Sequence, residues 1–259
     1  MTENTTLITG ASSGIGSELA RLFAADGSDV VLVARREERL VDLATAIEAD
    51  HDVSATVIPQ DLATRDGPGE LVEAVADRGI DVHTLVNNAG FGNYGSFDDT
   101  DLETETTMID LNVTAVTALT KLFVGPMLDR GDGAVLNVAS MAGMAPTPKQ
   151  AVYSSTKAYV LSFSEALAHE FHDRGVDVTA LCPGPVATEF FERGDLDESG
   201  IEDNPQLDPA TVARAGYDGL RAGKRVVVPS RRMRFLAQLK RVLPRRRVVE
   251  LAERSVAAE

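Results

Sequence analysis

Short runs of β-branched and aliphatic residues recur along the chain, and longer stretches between them place an apolar residue at every third or fourth position. TTLIT (5–9), DVVLVA (29–34), SATVI (54–58), TLVN (84–87), GAVLNVAS (133–140), DVTALC (177–182) and RVVVP (225–229) predict strands. Most of these runs are apolar throughout instead of alternating, the pattern of a strand covered on both faces. SELARLFAADG (17–27), REERLVDLATAIEA (36–49), the long run 101–128 and AVYSSTKAYVLSFSEAL (151–167) predict helices. This βαβ rhythm predicts an α/β fold with a Rossmann-like, doubly wound parallel sheet of about seven strands. No repeat, low-complexity tract or linker interrupts the rhythm, so residues 1–228 are expected to form one domain. Within it, FFERGDLDESGIEDNPQLDPA (190–210) is acidic and aperiodic and predicts a long surface loop at about 189–209, of the kind that covers a substrate.

A chain of 259 residues, 44% of them hydrophobic, can bury a full core. Its one cysteine, Cys182, excludes an internal disulfide and points to a reducing interior. The opening MTENTTLITG lacks the basic and apolar regions of a signal peptide, and no run reaches the roughly 18 apolar residues of a membrane span, so a cytoplasmic protein is expected. Forty acidic and 25 basic residues give a net charge of −15, with only five lysines. An acidic, lysine-poor surface fits a salt-rich (halophilic) cytoplasm, and an arginine-favouring genome would give the same composition. Nucleic acid is excluded as a partner for so acidic a body.

The charge is not spread evenly. Residues 221–259 carry 12 basic and 3 acidic side chains, against 13 and 37 in residues 1–220. Met233, Leu236, Leu239 and Leu243 recur at three and four, so residues 229–259 predict a basic amphipathic C-terminal extension. Docking on the acidic body or a sister subunit, a disordered tail, and peripheral contact with an anionic membrane at its inner face all fit this pattern.

Two constellations carry chemistry. TGASSGIG (9–16) places Gly10, Gly14 and Gly16 where the first strand meets a helix, so backbone N–H groups and the positive end of the helix can face a phosphate. The spacing is G-x-x-x-G-x-G instead of the general dinucleotide fingerprint, so a purely structural turn also fits. Tyr153 and Lys157 lie four apart on one helical face. Alone they are an amphipathic helix with a stray polar pair.

The glycine turn, DL at 61–62, NNAG at 87–90, Asn112, Ser140, YSSTK at 153–157 and PGPVAT at 183–188 occur in order, and together they resemble the short-chain dehydrogenase/reductase family over about residues 5–228. The resemblance implies hydride transfer between a nicotinamide cofactor and a carbonyl or secondary alcohol, with no metal. It implies that Ser140 binds the substrate oxygen, that Tyr153 exchanges a proton with it, and that Lys157 tunes Tyr153 and reaches the nicotinamide ribose. Asn112 would hold a relay water. A cation at about 4 Å favours a phenolate by roughly 4 kcal/mol, so the tyrosine's pKa is expected to fall below its usual value of about 10.

The same resemblance implies a cofactor bed of Gly10, Ser12, Ser13, Gly14, Ile15 and Gly16, with Asp61 and Leu62 at the adenine and Asn88, Ala89 and Gly90 alongside. Pro183, Gly184, Val186 and Thr188 would lie at the carboxamide end, next to Tyr153 and Lys157. At the end of the second strand Arg35 stands where family members that use NAD place an aspartate, so NADP is expected and NAD disfavoured. Arg36 is read as the start of a helix. The substrate would lie among Ser140, Tyr153, Phe91, Tyr94, Met141, Met144, Phe190 and Phe191, an apolar set suited to an apolar carbonyl. The chain lacks the glycine-rich ending of the fatty-acid-synthesis ketoreductases, which disfavours an acyl-carrier thioester. Helices near 101–126 and 153–172 resemble those through which the family forms homodimers and homotetramers. A non-catalytic dinucleotide sensor on the same fold is the alternative. Such proteins commonly lose the tyrosine or the lysine, and this chain keeps both.

Overall fold

Seven strands, all parallel, form one sheet in the order β3-β2-β1-β4-β5-β6-β7. They are β1 (Thr5–Thr9), β2 (Asp29–Ala34), β3 (Ala55–Pro59), β4 (Val82–Asn87), β5 (Gly133–Val138), β6 (Val176–Leu181) and β7 (Val226–Val227). The helices are α1 (Gly14–Ala25), α2 (Glu37–Asp50), α3 (Gly67–Ala76), α4 (Leu102–Ile109), α5 (Val116–Arg130), α6 (Ala151–Glu170), α7 (Pro209–Arg221), α8 (Arg231–Leu239) and α9 (Arg245–Val256). The computed structural model describes residues 4–190, 206–239 and 243–256.

Adjacent strand residues point to opposite faces, and both faces here are covered. Ile8, Leu32, Leu136 and Leu181 pack against Leu19 and Phe23 of α1, Leu40 of α2 and Leu220 of α7. Their neighbours Leu7, Val31, Val135 and Val178 pack on the other side, against Leu71 of α3 and Leu119, Phe123 and Met127 of α5. That double burial is why the strand runs read as apolar throughout. After β3 the chain crosses back to place β4 beside β1, so strand order reverses there and a crevice opens at the carboxyl ends of the strands.

Buried polar groups fix the helices around that crevice. Asn87 on β4 donates to Thr120 of α5 (3.0 Å) and to Asn137 of β5 (2.8 Å), and Asn137 donates to Ser164 of α6 (2.9 Å). This chain of bonds ties α6 to the middle of the sheet. Each of the four side chains is almost fully buried, so losing one partner would strand another without water.

The structure departs from the sequence reading in several elements. RVVVP shortens to the two-residue edge strand β7. Helices α3 and α7 were not foreseen, although Pro68 and Pro209 in their first turns are helix-start signals. The run 101–128 is one helical path from α4 to α5, but it is interrupted by a π turn over Asp110–Ala115. By length and composition this 29-residue path is long and apolar enough to cross a membrane, contrary to the absence of such a run expected above, and it lays Met108, Leu119, Phe123 and Met127 into the core. Finally, Met233, Leu236, Leu239 and Leu243 do not share one helix, because Leu243 stands outside helical structure and α9 starts after Pro244. The acidic stretch 191–205, with Phe191, lies outside the described residues.

Candidate active site

The glycine turn joins β1 to α1 at the crevice. A Cβ on Gly16 would stand 2.3 Å from the carbonyl oxygen of Gly10, so only glycine lets the turn fold back on itself this tightly. Asn88 braces the turn from β4, its side-chain amide donating to the carbonyls of Thr9 (3.0 Å) and Gly10 (3.2 Å). The Thr9 hydroxyl accepts from the backbone N–H groups of Asn88 and Ala89, both at 3.0 Å. The first turn of α1 is thereby held open-ended toward the cavity.

Ser140 follows β5, and its hydroxyl oxygen accepts from the Ala142 N–H at 3.1 Å, which caps a short turn, Met141–Met144. Tyr153 and Lys157 stand on the first two turns of α6, and both are buried. The Lys157 Nζ donates to the Val138 carbonyl at 3.0 Å. Burial pushes the Tyr153 phenol up to about 12, with the Ser140 hydroxyl acting in the opposite direction. Burial also brings the Lys157 ammonium down to about 8, against a pull upward from Cys182. The depression of the phenol expected from the lysine is therefore not what the free protein holds. Desolvation outweighs a charge placed 5.9 Å from the ring centre. At neutral pH the tyrosine keeps its proton and the lysine is still mostly charged.

Asn112 has a different setting from a mid-helix asparagine facing outward. The π turn brings its side chain onto Phe91, where the amide oxygen accepts from the backbone N–H (3.2 Å) and the amide nitrogen donates to the carbonyl (2.9 Å) and to Thr156 (3.1 Å). Such turns recur at functional sites because they re-aim one side chain without ending a helix. Asn112 is fully buried and holds the loop after NNAG in place.

A cavity of about 1390 Å³ runs along the carboxyl ends of the strands, from Arg35 and Asp61 past the glycine turn to Ser140, Tyr153 and Lys157. Of the site residues expected from the sequence and described here, all line this cavity except Gly16, Asn112 and Tyr94. Tyr94 is turned toward Lys149, whose ammonium lies 5.3 Å from its ring centre and whose carbonyl accepts from the Gly95 N–H. Phe190 packs against the Tyr153 ring, with centres 5.6 Å apart. Beyond it the wall is apolar and is completed by Met233 and Leu236 of α8 and by Val248 and Leu251 of α9. Among the described residues, no group of three or more His, Cys, Asp or Glu side chains is placed to hold a metal ion.

The sequence reading missed an ion-pair cluster near the expected Arg35 and one wall of this cavity. Arg35 is exposed and lies 3.8 Å from Asp61. Arg36, expected only to start α2, reaches back to the hydroxyls of Ser12 and Ser13 (3.1 Å each) and pairs with Glu189 at 2.8 Å. Arg39 pairs with the other oxygen of the same carboxylate. The only signal for this cluster was an acid directly after PGPVAT. The C-terminal wall was missed as a wall, although its apolar stripe was visible.

A reversing parallel sheet, a glycine turn at the reversal point, and a buried phenol and ammonium beside it define an oxidoreductase built around a nicotinamide dinucleotide. The family model for short chain dehydrogenases matches residues 4–198, and the chain belongs to that family, whose members act on CH–OH groups. It is 35% identical to the 3-oxoacyl-[acyl-carrier-protein] reductase of Synechocystis sp. over 192 residues, covering 74% of this chain and 78% of the relative. Among solved structures it resembles a short-chain dehydrogenase from Sphingobium yanoikuyae in complex with NADPH (TM-score 0.83, 30% identity, 92% of this chain and 94% of that one). It also resembles the bulky-bulky ketone specific alcohol dehydrogenase from Comamonas testosteroni (TM-score 0.79, 29% identity, 94% and 100%).

Proposed function

We propose that the protein is an NADP(H)-dependent oxidoreductase that interconverts an apolar ketone and its secondary alcohol through Ser140, Tyr153 and Lys157. The observation that carries this reading is the meeting of these three side chains where the cavity passes from its glycine-turn end to its apolar end. The residues present fit a dinucleotide. A Cβ on Gly90 would stand 3.2 Å from the Lys157 Nζ and 2.8 Å from the Asn112 amide oxygen, so glycine there lets the loop after β4 lie directly against these two side chains at the wall of the cavity. The turn at 10–16, Asp61, Asn88, Lys157 and Thr188 would hold the cofactor, with Arg35 at its phosphate end. The nicotinamide supplies or accepts the hydride when bound.

This chain's own residues handle the oxygen. In reduction, Tyr153, still protonated at neutral pH, gives its proton to the carbonyl oxygen as charge develops there. Ser140 accepts from Ala142, which leaves its own proton to aim at the same oxygen. Lys157 stabilises the phenolate left behind. The Sphingobium neighbour's NADPH and the Comamonas neighbour's bulky ketones support the cofactor and substrate readings. The missing glycine-rich ending weighs against the thioester implied by the Synechocystis relative. Oxidation of NADPH with a panel of ketones and reduction of NADP⁺ with secondary alcohols test the proposal. Tight nucleotide binding without turnover on any of them would favour the sensor reading.

Cofactor choice is tested separately. Arg35→Asp replaces a cation that can pair with a 2′-phosphate by an anion that repels it. The NADP-to-NAD efficiency ratio should drop about 10- to 100-fold, the value of a hydrogen bond to a charged group. An unchanged ratio moves the selectivity elsewhere.

The partners follow from surfaces around the site. Exposed Ile109, Leu122 and Tyr159 on the path from α4 to α6 support pairing of two copies. At the cavity mouth Leu236 and Leu251 are half exposed and Phe235 is 68% exposed, among the exposed Arg231, Arg232 and Arg234. Among the described residues, the ion pairs of Arg246 and Arg247 are to Glu250 of their own helix. We read this rim as resting on an anionic lipid surface, since basic and apolar side chains there both gain from such contact. Flotation with anionic vesicles should capture the protein in low salt. Phe235→Glu should abolish capture, and capture by neutral vesicles alone, or none at all, would refute the reading.

A further inference from the structure

Thr188 ends the last motif of the cofactor bed, and the residue after it is a carboxylate gripped by two guanidinium groups. Glu189 takes Arg36 on one oxygen and Arg39 on the other. Arg36 at the same time spans to Ser12 and Ser13, so the set forms a strut over the glycine turn, from the start of α2 to the turn that follows Thr188. Ser12, Ser13, Arg36 and Glu189 all line the cavity. The Glu189 carboxyl is brought down to about 2, mainly by the Arg39 hydrogen bond, so it is an anion at any working pH. A carboxylate and a phosphate use the forked donors of arginine in the same way. The strut thus holds an internal anion where the cofactor's phosphate end has to be received.

We propose that Glu189 is a cofactor-selecting residue: its carboxylate occupies the guanidinium groups of Arg36 and Arg39 in the free protein, and the ribose 2′-phosphate of the cofactor displaces it. The inference rests on the reading of the Arg35 end as the phosphate end of the cavity. A dinucleotide without the 2′-phosphate leaves the Glu189 pairs intact and meets no competition. A dinucleotide with it must break two charge-assisted bonds before forming its own. Glu189 therefore opposes NADP selectively and tempers the preference that Arg35 creates. It is a specificity residue that acts through the arginines and has no part in the proton transfer.

The test is equilibrium binding of NADPH, NADH and 2′,5′-ADP to the wild type, to Glu189→Gln and to Glu189→Asp. Glu189→Gln removes the charge at constant size, and it should tighten NADPH and 2′,5′-ADP about tenfold while leaving NADH within about twofold. Glu189→Asp keeps the charge and should stay near the wild-type ratio. Intact NADH binding reports that each variant is folded. Weaker or unchanged NADPH binding in Glu189→Gln would mean that the carboxylate merely positions Arg36, and an equal gain for NADH would mean that it repels the pyrophosphate; either result overturns the proposal. The wild-type ratio of NADPH to NADH affinity tests the Arg35 reading by itself, so the two can fail independently.

Discussion

Tyr153→Phe should lower kcat for ketone reduction by about 10²- to 10⁴-fold, the usual contribution of a positioned proton donor, while NADPH affinity stays within about threefold. The phenylalanine ring keeps the packing against Phe190 and the volume inside α6, so only the hydroxyl is removed. That hydroxyl is what burial keeps protonated at neutral pH. Without it, the oxygen formed by hydride addition has one hydroxyl nearby, Ser140, and that group has no ammonium behind it to hold the charge left after proton transfer. Steady-state oxidation of NADPH and a fluorescence titration of its binding separate the two effects. A variant that keeps more than a tenth of its activity would remove Tyr153 from the donor role.

Lys157→Met should move activity and stability in opposite directions. The lysine is 5% exposed, and its pKa falls from 10.5 to about 8 through burial. A basic group whose folded pKa lies below its unfolded value costs stability under the folded pKa, and the cost fades as pH rises from about 8 to 10.5. Two and a half units correspond to about 3 kcal/mol. Methionine fills similar space without a charge, but it abandons the Val138 carbonyl, which returns about 1 kcal/mol of that gain. A net stabilisation of about 2 kcal/mol is expected at pH 7 and little at pH 10, read by urea unfolding at both pH values. Activity should fall as far as for Tyr153→Phe, because the charge that supports the phenolate is gone. For the same reason wild-type reductive kcat/KM should be flat below pH 8 and decline above it. A methionine variant less stable than wild type at pH 7 would show that the buried ammonium is stabilised by more than the Val138 bond.

Both predictions start from a pair that was visible in the sequence, yet the sequence misjudged its electrostatics. The four-residue spacing put Tyr153 and Lys157 on one face of a helix, and a single charge at short range then argued for an acidic phenol. The fold buries the pair beneath Phe190 and against β5, and the loss of water turns both shifts toward the neutral forms. Asn112 shows the same divide. Its place in a long apolar helix was readable, but the π turn that sends its amide to the Phe91 backbone and to Thr156 of α6 depends on how that path packs against its neighbours.

What the sequence determined by itself is local. Strands covered on both faces must be apolar at every position, the turn from β1 to α1 needs glycine where its backbone meets itself, and an i, i+4 spacing holds on any helix. The tertiary structure alone decided which distant groups meet. Arg36 and Glu189 are 153 residues apart, and the return of the chain after β6 is what brings that carboxylate over the glycine turn. Pro244 breaks the predicted basic helix in two, so its halves close the apolar end of the cavity together. Charge and burial energies depend on those meetings, because they are set by the distance and the water between groups that no local spacing specifies.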